Sequence, residues 1–135
     1  MYMEGGNAYV YLCYGIHHLF NVVTNEAGTP HAVLIRAIEP VDGLEIMQLR
    51  RKMSKLTHAL TAGPGALSKA LGISTEMTGL SLFGDSVYIE DRPPLPDTQI
   101  VAATRIGVNY AGEDALLPYR FYIKGNKYVS KGKGL

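Results

Sequence analysis

The sequence predicts an α+β fold, a single domain with a curved, largely antiparallel β-sheet and a few short helices. Three observations carry that reading. β-forming runs at residues 7–14, 20–24 and 31–38 follow one another closely enough to form an antiparallel meander. Short helical patterns then fill the middle of the chain. The second half returns to strands, without the alternation that βαβ units require. With 135 residues, 47% hydrophobic and 19% charged, the chain can bury the core of one domain, residues 1–135, and is too short for a second full one.

The elements follow in order. Residues 7–14 read Asn7-Ala8-Tyr9-Val10-Tyr11-Leu12-Cys13-Tyr14, and Gly15 stops the run. Residues 20–24 form the second run, and the string Asn25 to Pro30 reads as a turn. The third run, 31–38, is closed by Glu39-Pro40. Asp42 with Glu45 three residues on is a capping-box pattern, which starts a helix carrying Leu44, Met47 and Arg51. Its basic cluster sits at the C-terminal end, where the helix dipole favours it. A second helix is expected over residues 64–71, with Leu67, Ala70 and Leu71 as its apolar face and Gly72 as C-cap. Its entry, Ala62-Gly63-Pro64-Gly65, places bare amides at a helix N-terminus, an arrangement that accepts a phosphate and is also common structural punctuation. Strands are expected again over 86–90, 99–106 and 119–124, with Arg92-Pro93-Pro94-Leu95-Pro96 as a stiff connector.

Charge is distributed less evenly than the net value of +1 suggests. Arg50, Arg51, Lys52, Lys55 and Lys69 fall between Arg50 and Thr75 with no acidic residue among them. Arg120, Lys124, Lys127, Lys131 and Lys133 form a second such segment after Ala115. The two segments could converge on one face and follow a phosphate backbone, or serve as two solvated surfaces.

Several chemistries are absent. No Walker loop or Rossmann glycine fingerprint occurs. The histidines (His17, His18, His31, His58) lack metalloprotease spacing, and one cysteine rules out a disulfide framework or a multi-cysteine zinc site. Neither a metal nor a cofactor is expected. Glu113-Asp114 lies in a polar turn and reads as solvated, and Cys13, inside an apolar strand, reads as a buried structural thiol. No apolar run approaches a membrane span, and the first residues lack a secretory leader, so the expectation is an intracellular protein without a membrane partner.

The tyrosines are the informative residues. Nine are present, against three phenylalanines and no tryptophan, and Tyr2, Tyr9, Tyr11 and Tyr14 lie within the first 14 positions. On a strand, Tyr9, Tyr11 and Cys13 share one face while Val10 and Leu12 share the other. Tyr14, beside Gly15, stands where the chain can turn and push a side chain outward. Exposed tyrosines are stacking platforms for nucleic-acid bases, worth roughly 1–3 kcal/mol per base. Composition alone favours the other reading, ordinary core packing plus interfacial tyrosines.

The string Tyr9-Val10-Tyr11-Leu12-Cys13-Tyr14-Gly15, then Asn21, then Val33-Leu34-Ile35-Arg36-Ala37-Ile38-Glu39-Pro40, resembles the alkyladenine (3-methyladenine) DNA glycosylase family. The likeness continues through Gly63-Pro64-Gly65-Ala66-Leu67, Arg105-Ile106-Gly107-Val108, Ala111-Gly112-Glu113, Pro118-Tyr119-Arg120-Phe121-Tyr122 and Tyr128-Val129-Ser130, in order over nearly the whole chain.

That resemblance implies a monofunctional base-excision repair enzyme, which flips an alkylated or deaminated purine out of double-stranded DNA and hydrolyses its N-glycosidic bond. Tyr14 matches the intercalating wedge, flanked at the duplex by Ile16 and His17. Tyr11 matches the tyrosine that stacks on the flipped base, and Asn21 the pocket asparagine. Arg36 and the main-chain carbonyl of Ile106 match the groups that hold the attacking water. Gly63 and Gly65, with the basic segments, would contact backbone phosphates.

The resemblance also implies a cytoplasmic protein (nucleoid-associated in a prokaryote, nuclear in a eukaryote), monomeric as the intact fold, with no obligate protein partner. The family's general base is a glutamate in a Glu-Thr-Glu-Ala-Tyr-like segment well upstream of the tyrosine strand, and this sequence contains no such segment. The chain therefore resembles the C-terminal portion of the family and is expected to be inactive alone; Glu4 is a poor substitute. Ala66 stands where the family commonly has lysine. The alternative expectation is a non-catalytic DNA minor-groove-binding module, or an inactive remnant of the fold.

Overall fold

A hydrophobic strand followed by a turn that only left-handed backbone can make dictates the first unit of the fold. In the computed structural model, which describes residues 4–28, 31–106 and 117–129, β1 (Ala8–Cys13), β2 (His17–Val23) and β3 (Ala32–Leu34) form an antiparallel sheet in that order. The expected meander is present, and its edges differ from expectation. β2 starts at His17 rather than residue 20, because the tight turn lets pairing resume at once, Cys13 opposite His17. β3 ends at Leu34 rather than residue 38. One further ladder bond, from the Ile35 N–H to the Phe20 carbonyl, closes the pairing. Ile35 and Ile38 then pack against the core, and Ile38 exchanges bonds with Thr61, whose hydroxyl donates to the Ile38 carbonyl at 2.7 Å. Of the expected turn at 25–30, Thr29 and Pro30 lie outside the described residues; the Asn25 side chain accepts from the Glu26 amide.

The helices are α1 (Leu44–Arg51) and α2 (Pro64–Leu71). The capping box does not form. Gly43, with φ 74°, takes the N-cap position, which displaces Asp42 from it and puts Glu45 one position too early. Glu45 still places a negative charge in the first turn. α2 matches its expected bounds, and Gly72 ends it at φ 72°. A methyl group on Gly72 would sit 3.3 Å from the Arg50 guanidinium, which donates to the C-terminal end of α2 at the Ala70 carbonyl, 3.0 Å.

No strand forms over 86–90. The outer edge of β1 is instead covered by residues 78–82, which the alternation of apolar residues did not reveal. Ala8 N–H donates to the Leu80 carbonyl, Gly79 N–H to the Ala8 carbonyl, and Leu82 N–H to the Gly6 carbonyl. At Val10 a side chain completes the pairing: Val10 N–H donates to Thr78 Oγ1, and Thr78 Oγ1–H donates to the Val10 carbonyl, both at 2.9 Å.

The core joins one face of this sheet to α2. Ala8, Val10, Phe20, Leu67, Ile73 and Leu82 form one buried cluster, and Met47, Leu60 and Ala70 a second on the far side of α2. Each fully buried leucine contributes roughly 1.5–3 kcal/mol of apolar transfer. Cys13, expected to be buried, is only half-buried, because it stands on the face of β1 opposite the core that Ala8 and Val10 enter.

A separate two-stranded sheet pairs β4 (Ile100–Ala103) with β5 (Arg120–Ile123), inside the runs expected at 99–106 and 119–124. The antiparallel sense is as expected, but the strands divide between two sheets. The Glu113-Asp114 pair lies outside the described residues.

Candidate nucleic-acid interface

The β1–β2 hairpin turns at Tyr14-Gly15-Ile16, with the Ile16 N–H closing on the Cys13 carbonyl at 3.2 Å. Tyr14 and Gly15 have φ of 54° and 73°, the sign pattern of the mirror-image turns that match strand twist. Gly15 is there for that backbone alone, since nothing lies within 4 Å of where its Cβ would be. The turn leaves Tyr14 85% and Ile16 71% exposed, two large apolar groups at one tip.

Strand register sorts the rest. Ala8 opposite Val22 and Val10 opposite Phe20 face the core. Tyr9 opposite Asn21, Tyr11 opposite Leu19 and Cys13 opposite His17 therefore share the other face, which Leu34, opposite Asn21, joins from β3. The structure thus brings Tyr11, Asn21 and His17 together on one side of the sheet, below the tip. Tyr9 adds to them, its ring centroid 5.7 Å from that of Tyr11. Sequence reading put Tyr9 on this face and gave it no role. The adjacent histidines divide their work: His18, across the sheet, accepts from the Thr75 amide through Nδ1.

Asn21 is 7% exposed. Its Nδ2 donates to the main-chain carbonyls of Tyr9 and Leu19, each at 3.3 Å, which fixes the amide plane and uses both hydrogens.

Arg36 lies two residues past Leu34, the end of β3. It is half-buried, and among the described residues its buried Nε has no hydrogen-bond partner. Burial first, and the Arg120 cation second, lower its pKa from the ordinary arginine value. Arg120 is itself held in place: its Nε donates to the Thr104 carbonyl at 2.8 Å, and its guanidinium lies 5.1 Å from the Tyr122 ring centroid. Sequence reading quoted Arg120 within a motif and assigned it no function. Arg105 lies over the Tyr119 ring at 5.7 Å. Ile106 is half-buried beyond β4, and among the described residues no hydrogen bond joins it to Arg36.

Gly63 and Gly65 are buried, leaving Ala62 and Ala66 as the part of the α2 entry that solvent reaches. Of the first basic segment, Arg50 bonds the Ala70 carbonyl, and Arg51 bonds the Leu60 and Ala59 carbonyls. Lys52, Lys55 and Lys69 are exposed. Among the described residues no group of three or more potential ligands could hold a metal, and no helix is long and apolar enough to cross a membrane.

The tip thus stands as a protruding aromatic above a face of paired tyrosines and a locked amide. The chain belongs to the methylpurine-DNA glycosylase family, whose sequence model matches residues 1–127. It is 47% identical over 140 residues to a Bacillus cereus (strain G9842) protein named "Putative 3-methyladenine DNA glycosylase", a match that takes in 97% of this chain and 68% of that protein. A protein of the same name from Methanocella arvoryzae is 46% identical over 132 residues, 97% of this chain and 65% of its own length. The chain thus spans about two thirds of the length of these relatives. The family's substrate is DNA.

Proposed function

We propose that the chain engages double-stranded DNA carrying a damaged purine through the β1–β2 hairpin, in the service of hydrolytic base excision. The observation that carries this is Tyr14, fixed by its turn at φ 54° with 85% of its surface in solvent. Tyr14 is the wedge that fills the gap left by the flipped nucleotide, with Ile16 and His17 against the neighbouring base pairs. Tyr11, backed by Tyr9, stacks on the flipped base. A purine alkylated on a ring nitrogen such as N3 carries a positive charge in the nucleotide, which a π-rich face favours over neutral purines. With both Asn21 amide hydrogens committed, its Oδ1 is the group that meets the base edge.

In the reaction, a water oxygen bonds to the sugar C1′ and gives up one proton to solvent, the C1′–N bond breaks, and a cationic alkylated purine leaves as the neutral base with the bonding electrons. Arg36 and the Ile106 carbonyl position that water. No cofactor takes part. The lesion class follows the relatives' name, 3-methyladenine, and the protein works as a monomer in the compartment that holds DNA, cytoplasmic in a prokaryote. At the α2 entry, Ala62 and Ala66 flank the phosphate contact expected of Gly63 and Gly65.

A second reading, duplex binding without excision, is favoured by one observation. The electrostatic neighbour of the Arg36 guanidinium is a second cation, Arg120, which cannot take a proton from water. Loss of general-base assistance costs roughly 10²–10⁴-fold. The test is a duplex carrying one hypoxanthine or one alkylated adenine. We expect binding that weakens with salt and, for the 135-residue chain alone, no free base. Released base would defeat the second reading. Equal absence of binding by this chain and by Tyr14→Ala would defeat both.

A further inference from the structure

Two histidines stand side by side at the start of β2, and the fold uses the ring of only one of them. Strand alternation sends His17 and His18 to opposite sides of the sheet. His18 accepts the Thr75 amide through Nδ1 and so anchors the Thr75–Met77 turn. His17 is half-buried on the side of Tyr11 and Asn21. Among the described residues its ring makes no hydrogen bond or ion pair. A neutral imidazole keeps one N–H donor whichever tautomer it takes, and a protonated one has two. Its cross-strand neighbour, Cys13, is only a weak acceptor, so the donor is left for a ligand.

The place of His17 in the hairpin decides which ligand group can meet it. The Cys13–His17 pair is the last before the turn at Tyr14-Gly15-Ile16. On the same face the next pair is Tyr11 with Leu19, two residues further from the tip, roughly 7 Å along the strand. A base lying against Tyr11 is therefore set back from His17. Apolar wedges enter a duplex from the minor groove, so His17 stands at the mouth of the groove that Tyr14 fills. An A·T pair shows only acceptors there, adenine N3 and thymine O2, whereas G·C adds the guanine amino group, a donor. We infer that His17 is a specificity-determining residue: its N–H donates to a minor-groove acceptor of the base pair beside the damaged purine and so favours A·T at that position. One net hydrogen bond is worth about threefold to tenfold in affinity. The inference rests on the hairpin's engagement of the duplex and adds which flanking sequence it prefers.

The probes are duplexes carrying one hypoxanthine whose neighbouring pairs are A·T, G·C or diaminopurine·T. The last adds the guanine amino group to the minor groove and leaves the major groove as in A·T. By fluorescence anisotropy with this chain, the A·T duplex should bind about threefold to tenfold more tightly than G·C. Diaminopurine·T should behave as G·C. His17→Phe, which keeps a flat ring without the donor, should bind all three alike. His17→Gln, which keeps an N–H donor, should retain part of the preference, and both variants should keep the parent's circular dichroism. Equal affinity of the parent for all three duplexes, with binding still weakened by Tyr14→Ala, overturns this inference and leaves the hairpin reading standing. So does a preference that survives His17→Phe. A parent indifferent to the flanks yet weakened by His17→Phe overturns it too, by assigning the ring to a phosphate. Equal absence of binding by the parent and by Tyr14→Ala defeats the hairpin reading, and this inference falls with it.

Discussion

Tyr14 combines a backbone that favours glycine with a side chain the fold does not use. Stability and binding should therefore separate there. Tyr14→Gly is expected to hold or raise stability, by up to about 1 kcal/mol through relief of left-handed backbone. Duplex affinity should fall about tenfold through loss of one stacking surface. Thermal unfolding and fluorescence anisotropy read the two effects, and a variant that unfolds or binds undiminished contradicts the assignment. Gly6 is the converse case, a residue whose absent side chain is required. It has φ 89°, and a Cβ there would lie 2.4 Å from Phe83 Cε2. Gly6→Ala should cost about 1–2 kcal/mol for the backbone, more with the clash. Adding Phe83→Ala should return only the clash, because Phe83 is exposed and its ring can yield. Denaturant midpoints of the double-mutant cycle test this. Tyr14 was legible because Tyr-Gly after a β run is local information. Gly6 was not, because Phe83 is far along the chain.

At the scale of elements, α2 was readable to the residue from Gly-Pro at its start and Gly72 at its end, both local signals. α1 was readable in extent but not in its cap, where the left-handed Gly43 outcompeted Asp42. The edge of β1 was not readable at all. Its partner, 78–82, has no strand pattern and uses the Thr78 hydroxyl where a strand would use main chain. Thr78→Val keeps the shape and removes that oxygen. It should cost about 1–3 kcal/mol by leaving the Val10 N–H and C=O unpaired. Amide exchange at Val10 should accelerate more than at Phe20, on the other strand; unchanged exchange would show that water or another group replaces the hydroxyl.

For the whole molecule, the basic segments divide by use. Arg50 and Arg51 tie α1 to α2 and to the His58–Leu60 turn, while Lys52, Lys55 and Lys69 remain exposed. If those three contact phosphates, changing all of them to glutamine should shallow the dependence of log affinity on log salt by about 2–3. An unchanged slope would place the DNA track elsewhere. Arg36→Gln belongs at this scale too, since Arg36 comes from the β3 end and Arg120 from β5. Removing a half-buried cation that faces another should raise the melting temperature while weakening any base excision. A lower melting temperature would mean that Arg36 is held by an anion.

The sequence by itself determined the family, the antiparallel order of β1 to β3, the extent of α2 and the side of β1 on which Tyr9 and Tyr11 stand. All of these rest on signals between near neighbours: period-two alternation, a turn beside a strand, a proline and glycine bracketing a helix. Tertiary structure alone decided that Asn21 spends its amide hydrogens on Tyr9 and Leu19, that Arg36 is half-buried near a second arginine, and that β4–β5 forms its own sheet with an apolar face in solvent. Those outcomes depend on burial and on contacts between residues far apart in the chain, which no local pattern encodes.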